Sequence, residues 1–160
     1  MSRDPRPIDP RRAGDALRRL VDLVSHRSGV VFALMNDAGL TLQQVLLMSR
    51  VEEFGSASLA ELADESPASL PALSQMVDRI VQKGWLDRSE DSIDRRRKAI
   101  RITPRAGVFL RRLEAARSAD FELGLKPVSE NLKAQLAAAL ERAAVEIESA
   151  RQGKRRGAEV

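Results

Sequence analysis

Three adjacent arginines, Arg95, Arg96 and Arg97, followed by Lys98, carry the most pointed chemistry in this chain. Like charges packed this closely repel one another unless an anion lies nearby, so the cluster suits a polyanion rather than a proton transfer. A solvated surface explains many charge runs, but this run has company. Between Asp78 and Arg112 eleven basic residues stand against five acidic ones, a local charge of +6 that exceeds the +4 of all 160 residues. Positive charge is therefore gathered into a patch. Asp94 sits beside the arginines and is expected to brace one of them.

Other chemistries find little to work with. His26 is the single histidine, which by itself builds neither a zinc site nor a catalytic triad, and it reads as an ordinary helix-end residue. The chain has no cysteine, which removes disulfides, thiolate metal sites, thiol redox sensing and cysteine nucleophiles together. No P-loop, GxGxxG, HExxH or GxSxG pattern occurs, and the pairs Glu52-Glu53 and Asp64-Glu65 read as helix-surface charge. We expect no enzyme activity, no metal and no cofactor.

The elements that must present the basic patch follow from composition and spacing. Hydrophobic residues make up 43% of the chain and aromatic ones 3%, which predicts an aliphatic core and mostly helix. Residues 1–10 read as a flexible arm. From Arg11, apolar residues at Ala13, Leu17, Leu20, Val21 and Val24 mark one helical face, and Val30 to Met35 reads as its continuation or a kinked extra turn, giving an N-terminal helix region over 11–36. Thr41 with Gln44, and Ser58 with Glu61, have the spacing of capping boxes that open two helices, the first stopped by Gly55. Ser69 is expected to cap a third helix that Gly84 ends in a left-handed turn. Next come two β-prone runs, Trp85–Arg88 and Ala99–Thr103, joined by the charged link Ser89–Lys98. Thr103-Pro104 starts a helix to about Leu123, a last helix runs from Ser129 to about Arg151, and Gly153 begins a basic tail over 153–160.

Two short helices around a tight Ser66-Pro67-Ala68 turn, the second running straight into a hairpin, are the parts of a winged helix-turn-helix over residues 41–103. A helix of this width fits the major groove, and the hairpin can lie along the backbone so that a guanidinium enters the minor groove. Ser69, Ala72, Ser74, Gln75 and Arg79 are expected to project from the recognition helix. Gln75 has the two-pronged amide that matches adenine, while Ser69 and Ser74 suit phosphates, with capping the competing job for Ser69. Arg95, Arg96, Arg97 and Lys98 form the wing side of the interface.

Two pieces of the sequence resemble the MarR-type (multiple antibiotic resistance regulator) transcription factors. One is Leu73-Ser74-Gln75-Met76-Val77-Asp78-Arg79-Ile80-Val81-Gln82-Lys83-Gly84-Trp85-Leu86, which is similar to the family's recognition helix and the start of its wing. The other is Asp91-Ser92-Ile93-Asp94-Arg95-Arg96-Arg97, followed by Ile100-Arg101-Ile102-Thr103-Pro104 and Gly107. The resemblance, spread over roughly residues 11–150, implies a homodimer whose first and last two helices interlock, with residues 104–152 supplying the C-terminal dimerisation helices and two wings meeting one pseudo-palindromic site. The apolar stripe of the last helix, Leu132, Leu136, Leu140, Ala143 and Ile147, agrees, since one small monomer has nothing to cover it. It also implies a small-molecule effector pocket, for which His26, Phe32, Met35, Met48 and Phe109 are the candidates. The family often carries a basic side chain where this chain has Gln75, so no operator preference is transferred.

The expected fold is thus mainly α with a small β-hairpin, a winged helix-turn-helix flanked by N- and C-terminal dimerisation helices. The expected function is a cytoplasmic transcriptional repressor that binds duplex DNA as a homodimer and avoids membranes, since no stretch approaches the roughly 18 apolar residues of a span. A winged-helix adaptor for protein contacts is the open alternative.

Overall fold

A computed structural model describes residues 9–25, 29–64, 66–90 and 98–158, with positions 90, 98 and 151–158 described through the backbone alone. Helices α1 (Pro10–Val24), α2 (Val30–Asp37), α3 (Leu42–Phe54), α4 (Leu59–Asp64) and α5 (Leu70–Gln82) precede strands β1 (Leu86–Glu90) and β2 (Lys98–Ile102). Helices α6 (Pro104–Leu125) and α7 (Glu130–Ala158) follow. The fold is a winged helix-turn-helix with terminal helices, as the cap and hairpin signals predict. No single helix among the described residues is long and apolar enough to cross a membrane.

The chain divides into two compact units, Ser28–Asp120 and the terminal segments Met1–Arg27 with Phe121–Val160. Within the central unit, one apolar cluster joins Met48 and Val51 of α3, Leu62 of α4 and Leu73, Val77 and Ile80 of α5 to Leu86 and Ile100 of the hairpin and Leu110 of α6. Burying each such side chain contributes roughly 1.5–3 kcal/mol, and this burial is what holds the three short helices α3, α4 and α5, which would not persist alone.

Local chemistry sets the element boundaries. The Gln44 N–H donates to Thr41 Oγ1 at 3.3 Å while the Thr41 N–H donates to Gln44 Oε1 at 3.1 Å, the reciprocal box that the spacing predicts. At α4, the Glu61 N–H donates to Ser58 Oγ at 3.3 Å and the Ser58 N–H donates to Glu61 Oε2 at 2.7 Å. Gly84 has φ of +74°, the left-handed geometry that lets α5 turn directly into β1.

In the hairpin, antiparallel β1 and β2 set Leu86 opposite Ile102 and Arg88 opposite Ile100. On its other side Ile100 pairs with Ala57, accepting from its N–H at 3.0 Å and donating back at 2.7 Å. The segment between α3 and α4 therefore acts as a third strand one residue long, which the sequence reading leaves out.

Two boundaries differ from expectation. Val30–Asp37 is a helix of its own rather than an extension of α1: Ser25 is extended and closes α1, and Gly29 at φ +68° turns the chain before α2 begins. Helix α7 also passes Gly153, where a tail was expected, and stays helical through Ala158. Gly153 and Gly157 each cost the helix only about 1 kcal/mol, and the residues between and before them, Arg151, Gln152, Lys154, Arg155 and Arg156, are good helix formers. In the terminal unit, Gly124 brings α6 close to α1. A Cβ there would lie 2.6 Å from the Val24 Cα.

Candidate nucleic-acid interface

Helix α5 buries Leu73, Val77 and Ile80 and turns the opposite side outward. Ala72, Gln75 and Arg79, spaced three and four apart on that exposed side, fall along one face. Ser69 is exposed and holds the N-cap position, but its side chain makes no capping hydrogen bond, contrary to the capping role weighed for it. Its backbone carbonyl still accepts from the Leu73 N–H at 2.9 Å, so the helix starts without help from the hydroxyl. Ser74 is half-buried and lines an open groove that also borders on Glu61, Asp64 and Arg88. The structure thus groups Ala72, Gln75 and Arg79 on one face and places Ser74 at the groove beside α4.

A short turn positions α5 on α4. The Ser66 N–H donates to the Ala63 carbonyl at 3.1 Å and the Ala68 N–H to Ser66 Oγ at 3.1 Å, so the serine side chain completes the bend that Pro67 begins.

The wing follows α5 after three residues, Lys83 to Trp85, and is tied back at its base. Thr103, half-buried, donates from its hydroxyl toward the Gly84 carbonyl at 3.0 Å and accepts from the Ala106 N–H at 3.2 Å. One side chain therefore caps α6 and pins the return strand to the end of α5. Farther out, the Arg88 guanidinium of β1 donates to Asp78 of α5 at 2.8 Å. Lys98 begins β2 opposite Glu90. Arg95, Arg96, Arg97 and Asp94, expected at the wing tip, lie outside the described residues, and so does His26.

The basic patch divides on inspection. Lys83 donates to the Gly39 carbonyl, Arg88 pairs with Asp78, and Arg105 stacks on Trp85 at 3.9 Å from the ring centre. These three cations are engaged by partners within the unit. Arg79 and Arg101 are exposed and make up part of what α5 and β2 offer to a partner. Among the described residues, no group of three or more metal-ligating side chains converges.

This combination of a capped helix pair, an exposed recognition face and a hairpin anchored to its end coincides with a family match. Residues 40–98 match the family model described as MarR family, a span from the residue before the α3 capping box to the first residue of β2. Residues 40–98 form a MarR-family domain.

The likeness extends beyond that domain in solved structures. Transcriptional regulator Tm0710 from Thermotoga maritima is 19% identical, with a TM-score of 0.69 over 86% of this chain and 95% of that one. A MarR family protein from Bacillus stearothermophilus is 15% identical with a TM-score of 0.68, over 89% of this chain and 99% of that one. A mutant MarR from E. coli complexed with operator DNA is 20% identical with a TM-score of 0.51, over 85% and 99% of the two chains. At these identities what is shared is the fold, that of MarR-family transcriptional regulators. No curated protein matches this chain.

Of the residues named for an effector pocket, the MarR-family domain contains Met48, while Phe32, Met35 and Phe109 lie outside residues 40–98. Met48 is fully buried, Phe109 is buried with its ring 5.1 Å from that of Trp85, and Met35 packs against the same core. Phe32 is 59% exposed. Met35, Met48 and Phe109 thus contribute to the apolar core of the central unit.

Sequence reasoning missed the pairing of Asp78 with Arg88, ten positions apart, and the use of Lys83 and Arg105 as helix-end donors. Proximity of Asp78 and Arg88 depends on the angle at which the hairpin leaves α5. No local pattern encodes it.

Proposed function

We propose that this chain is a sequence-specific duplex-DNA-binding transcriptional regulator, a repressor rather than an enzyme, that works in the cytoplasm as a homodimer on a pseudo-palindromic site. The observation that carries this reading is the exposed row Ala72, Gln75 and Arg79 on a helix whose end is welded to a wing with an arginine-rich link. Gln75 supplies paired donor and acceptor groups for an adenine edge, Arg79 a guanidinium for guanine or phosphate, and Ala72 an apolar contact for a thymine methyl. Arg95, Arg96 and Arg97, with Lys98, supply charge to the flanking groove, and Asp94 braces them.

Dimerisation rests on apolar surface that the chain leaves uncovered. Leu132, Leu140, Val145 and Ile147 of α7 are all exposed, as are Leu17, Val21 and Leu23 of α1. A second copy burying these residues removes that surface from water, and two-fold symmetry then pairs the two recognition helices for a site of matching symmetry. The operator complex of the E. coli relative lends the same reading support.

The test is selection of bound fragments from a random duplex pool, followed by a salt titration on the winning site. An inverted repeat should emerge, and log affinity should fall by about 0.9 per phosphate contact for each tenfold rise in salt. Replacing Arg95, Arg96 and Arg97 with Ala should flatten that slope. A pool with no enriched motif, or retention indifferent to salt, overturns the proposal.

A further inference from the structure

The wing is packed at its base and bridged farther out. At the base, Leu86 is buried and the Thr103 hydroxyl ties the return strand to the end of α5. Two residues along β1, the space toward α4 and α5 is an open groove bordered by Glu61, Asp64, Ser74 and Arg88. From the edge of that groove the Arg88 Nη1 donates to Asp78 Oδ1 at 2.8 Å, with the arginine side chain 24% exposed and the carboxylate 49%. An ion pair this accessible adds little to folding stability, so its consequence is geometric. It adds a directional tie between β1 and α5 at the level where Ile100, the residue paired with Arg88, packs into the core.

Resting on the DNA-binding reading above, we infer that Asp78 and Arg88 are positioning residues for DNA binding. The pair holds the wing at the angle that lets wing and recognition helix engage adjacent grooves together, and Asp78 itself touches no DNA. Charge supports this assignment. Asp78 lies next to Arg79 and three residues from Gln75 on the helix that faces the polyanion, where a bare carboxylate opposes binding. Arg88 matches that charge, so the carboxylate is kept at no electrostatic loss.

The two readings of Asp78 give opposite signs. If Asp78 contributes only negative charge, Asp78→Asn tightens DNA binding. If it positions the wing, the same change weakens it. Affinities for the selected duplex are to be compared for the unmodified protein, Asp78→Asn, Arg88→Gln, the two combined, and the exchanged pair Asp78→Arg with Arg88→Asp, each with its melting temperature. The single variants should each lose about three- to tenfold in affinity, and the combination should lose no more than either alone, as residues acting through one contact do. The exchanged pair, of unchanged net charge, should recover most of the loss. Equal or tighter binding by a folded Asp78→Asn overturns the inference, as does a folded exchanged pair no better than Arg88→Gln. If the unmodified protein binds no duplex at all, the functional reading falls and carries this inference with it, a result distinct from firm binding that ignores Asp78.

Discussion

The Arg105 guanidinium lies 3.9 Å from the centre of the Trp85 ring and its Nη1 points at the Lys83 carbonyl, 3.4 Å away. A cation from the first turn of α6 thus sits on the C-terminal end of α5, where the helix dipole favours positive charge, and covers the indole at the root of the wing. Lys83 in turn donates to the Gly39 carbonyl at the end of the α2 turn. Both residues belong to the basic segment that composition alone assigns to a polyanion.

Arg105 and Arg79 should therefore behave oppositely. Arg105→Gln loses a cation–π contact of about 0.5–1 kcal/mol at an exposed site. That should lower the melting temperature by about 2–4 °C, while the salt slope of DNA binding stays as it was. Arg79→Gln should leave melting unchanged and, where Arg79 meets a phosphate, reduce the slope by about 0.9. Calorimetry beside a salt titration reads both; a reduced slope in Arg105→Gln would place that guanidinium on DNA instead.

Thr103→Val removes a hydroxyl that serves two elements. The Ala106 N–H loses its acceptor and the Gly84 carbonyl its donor, in a half-buried junction. Loss of the cap costs about 1 kcal/mol and the stranded carbonyl adds to it. Urea denaturation should show a lower midpoint for Thr103→Val and nearly none of that drop for Thr103→Ser, which keeps the hydroxyl. A drop in Thr103→Ser with none in Thr103→Val would mean that the methyl group, not the hydroxyl, matters.

Gly124 and Gly84 resist substitution for different reasons. At Gly124 an added Cβ meets the Val24 Cα and Cβ at 2.6 Å, so Gly124→Ala should destabilise by about 1–3 kcal/mol despite the better helix propensity of alanine. Around Gly84 nothing lies within 4 Å of an added Cβ, but φ is +74°, so Gly84→Ala should cost about 1 kcal/mol through backbone strain alone. Gly84→Asn, which tolerates that conformation, should recover part of the cost, whereas Val24→Ala should relieve Gly124→Ala only slightly because the Val24 backbone stays in place. Melting curves of the four variants test the distinction.

Leu140→Arg combined with Ile147→Arg places two charges on the exposed stripe of α7. The unmodified chain should sediment at twice its 17.7 kDa mass and the double variant at 17.7 kDa, with affinity for an inverted repeat falling sharply while helical circular dichroism persists. A monomeric unmodified chain would remove the dimer from the proposal.

Much of the fold is written in short-range chemistry. The pairs Thr41 with Gln44 and Ser58 with Glu61 are three residues apart, and Thr103 reaches its Ala106 partner over the same interval, so the bonds that begin α3, α4 and α6 follow from sequence neighbours. The alternation of Ile100, Arg101 and Ile102 likewise fits a strand with one face turned to the core. Ser69 shows the limit of this reasoning, for its residue type suits a cap and its position is the cap, yet its side chain makes no capping bond.

Taken alone, the order of residues determined which segments coil, where they stop and that positive charge gathers near the hairpin, because those properties depend on neighbours a few bonds away. Tertiary structure decided which of those charges remain for a partner. Lys83 meets Gly39 across 44 positions, Arg105 meets Lys83 across 22 and Arg88 meets Asp78 across ten. Such contacts exist only once the apolar cluster has brought α2, α5, β1 and α6 together, and it is burial, not local spacing, that makes a cation structural in one place and leaves it open in another.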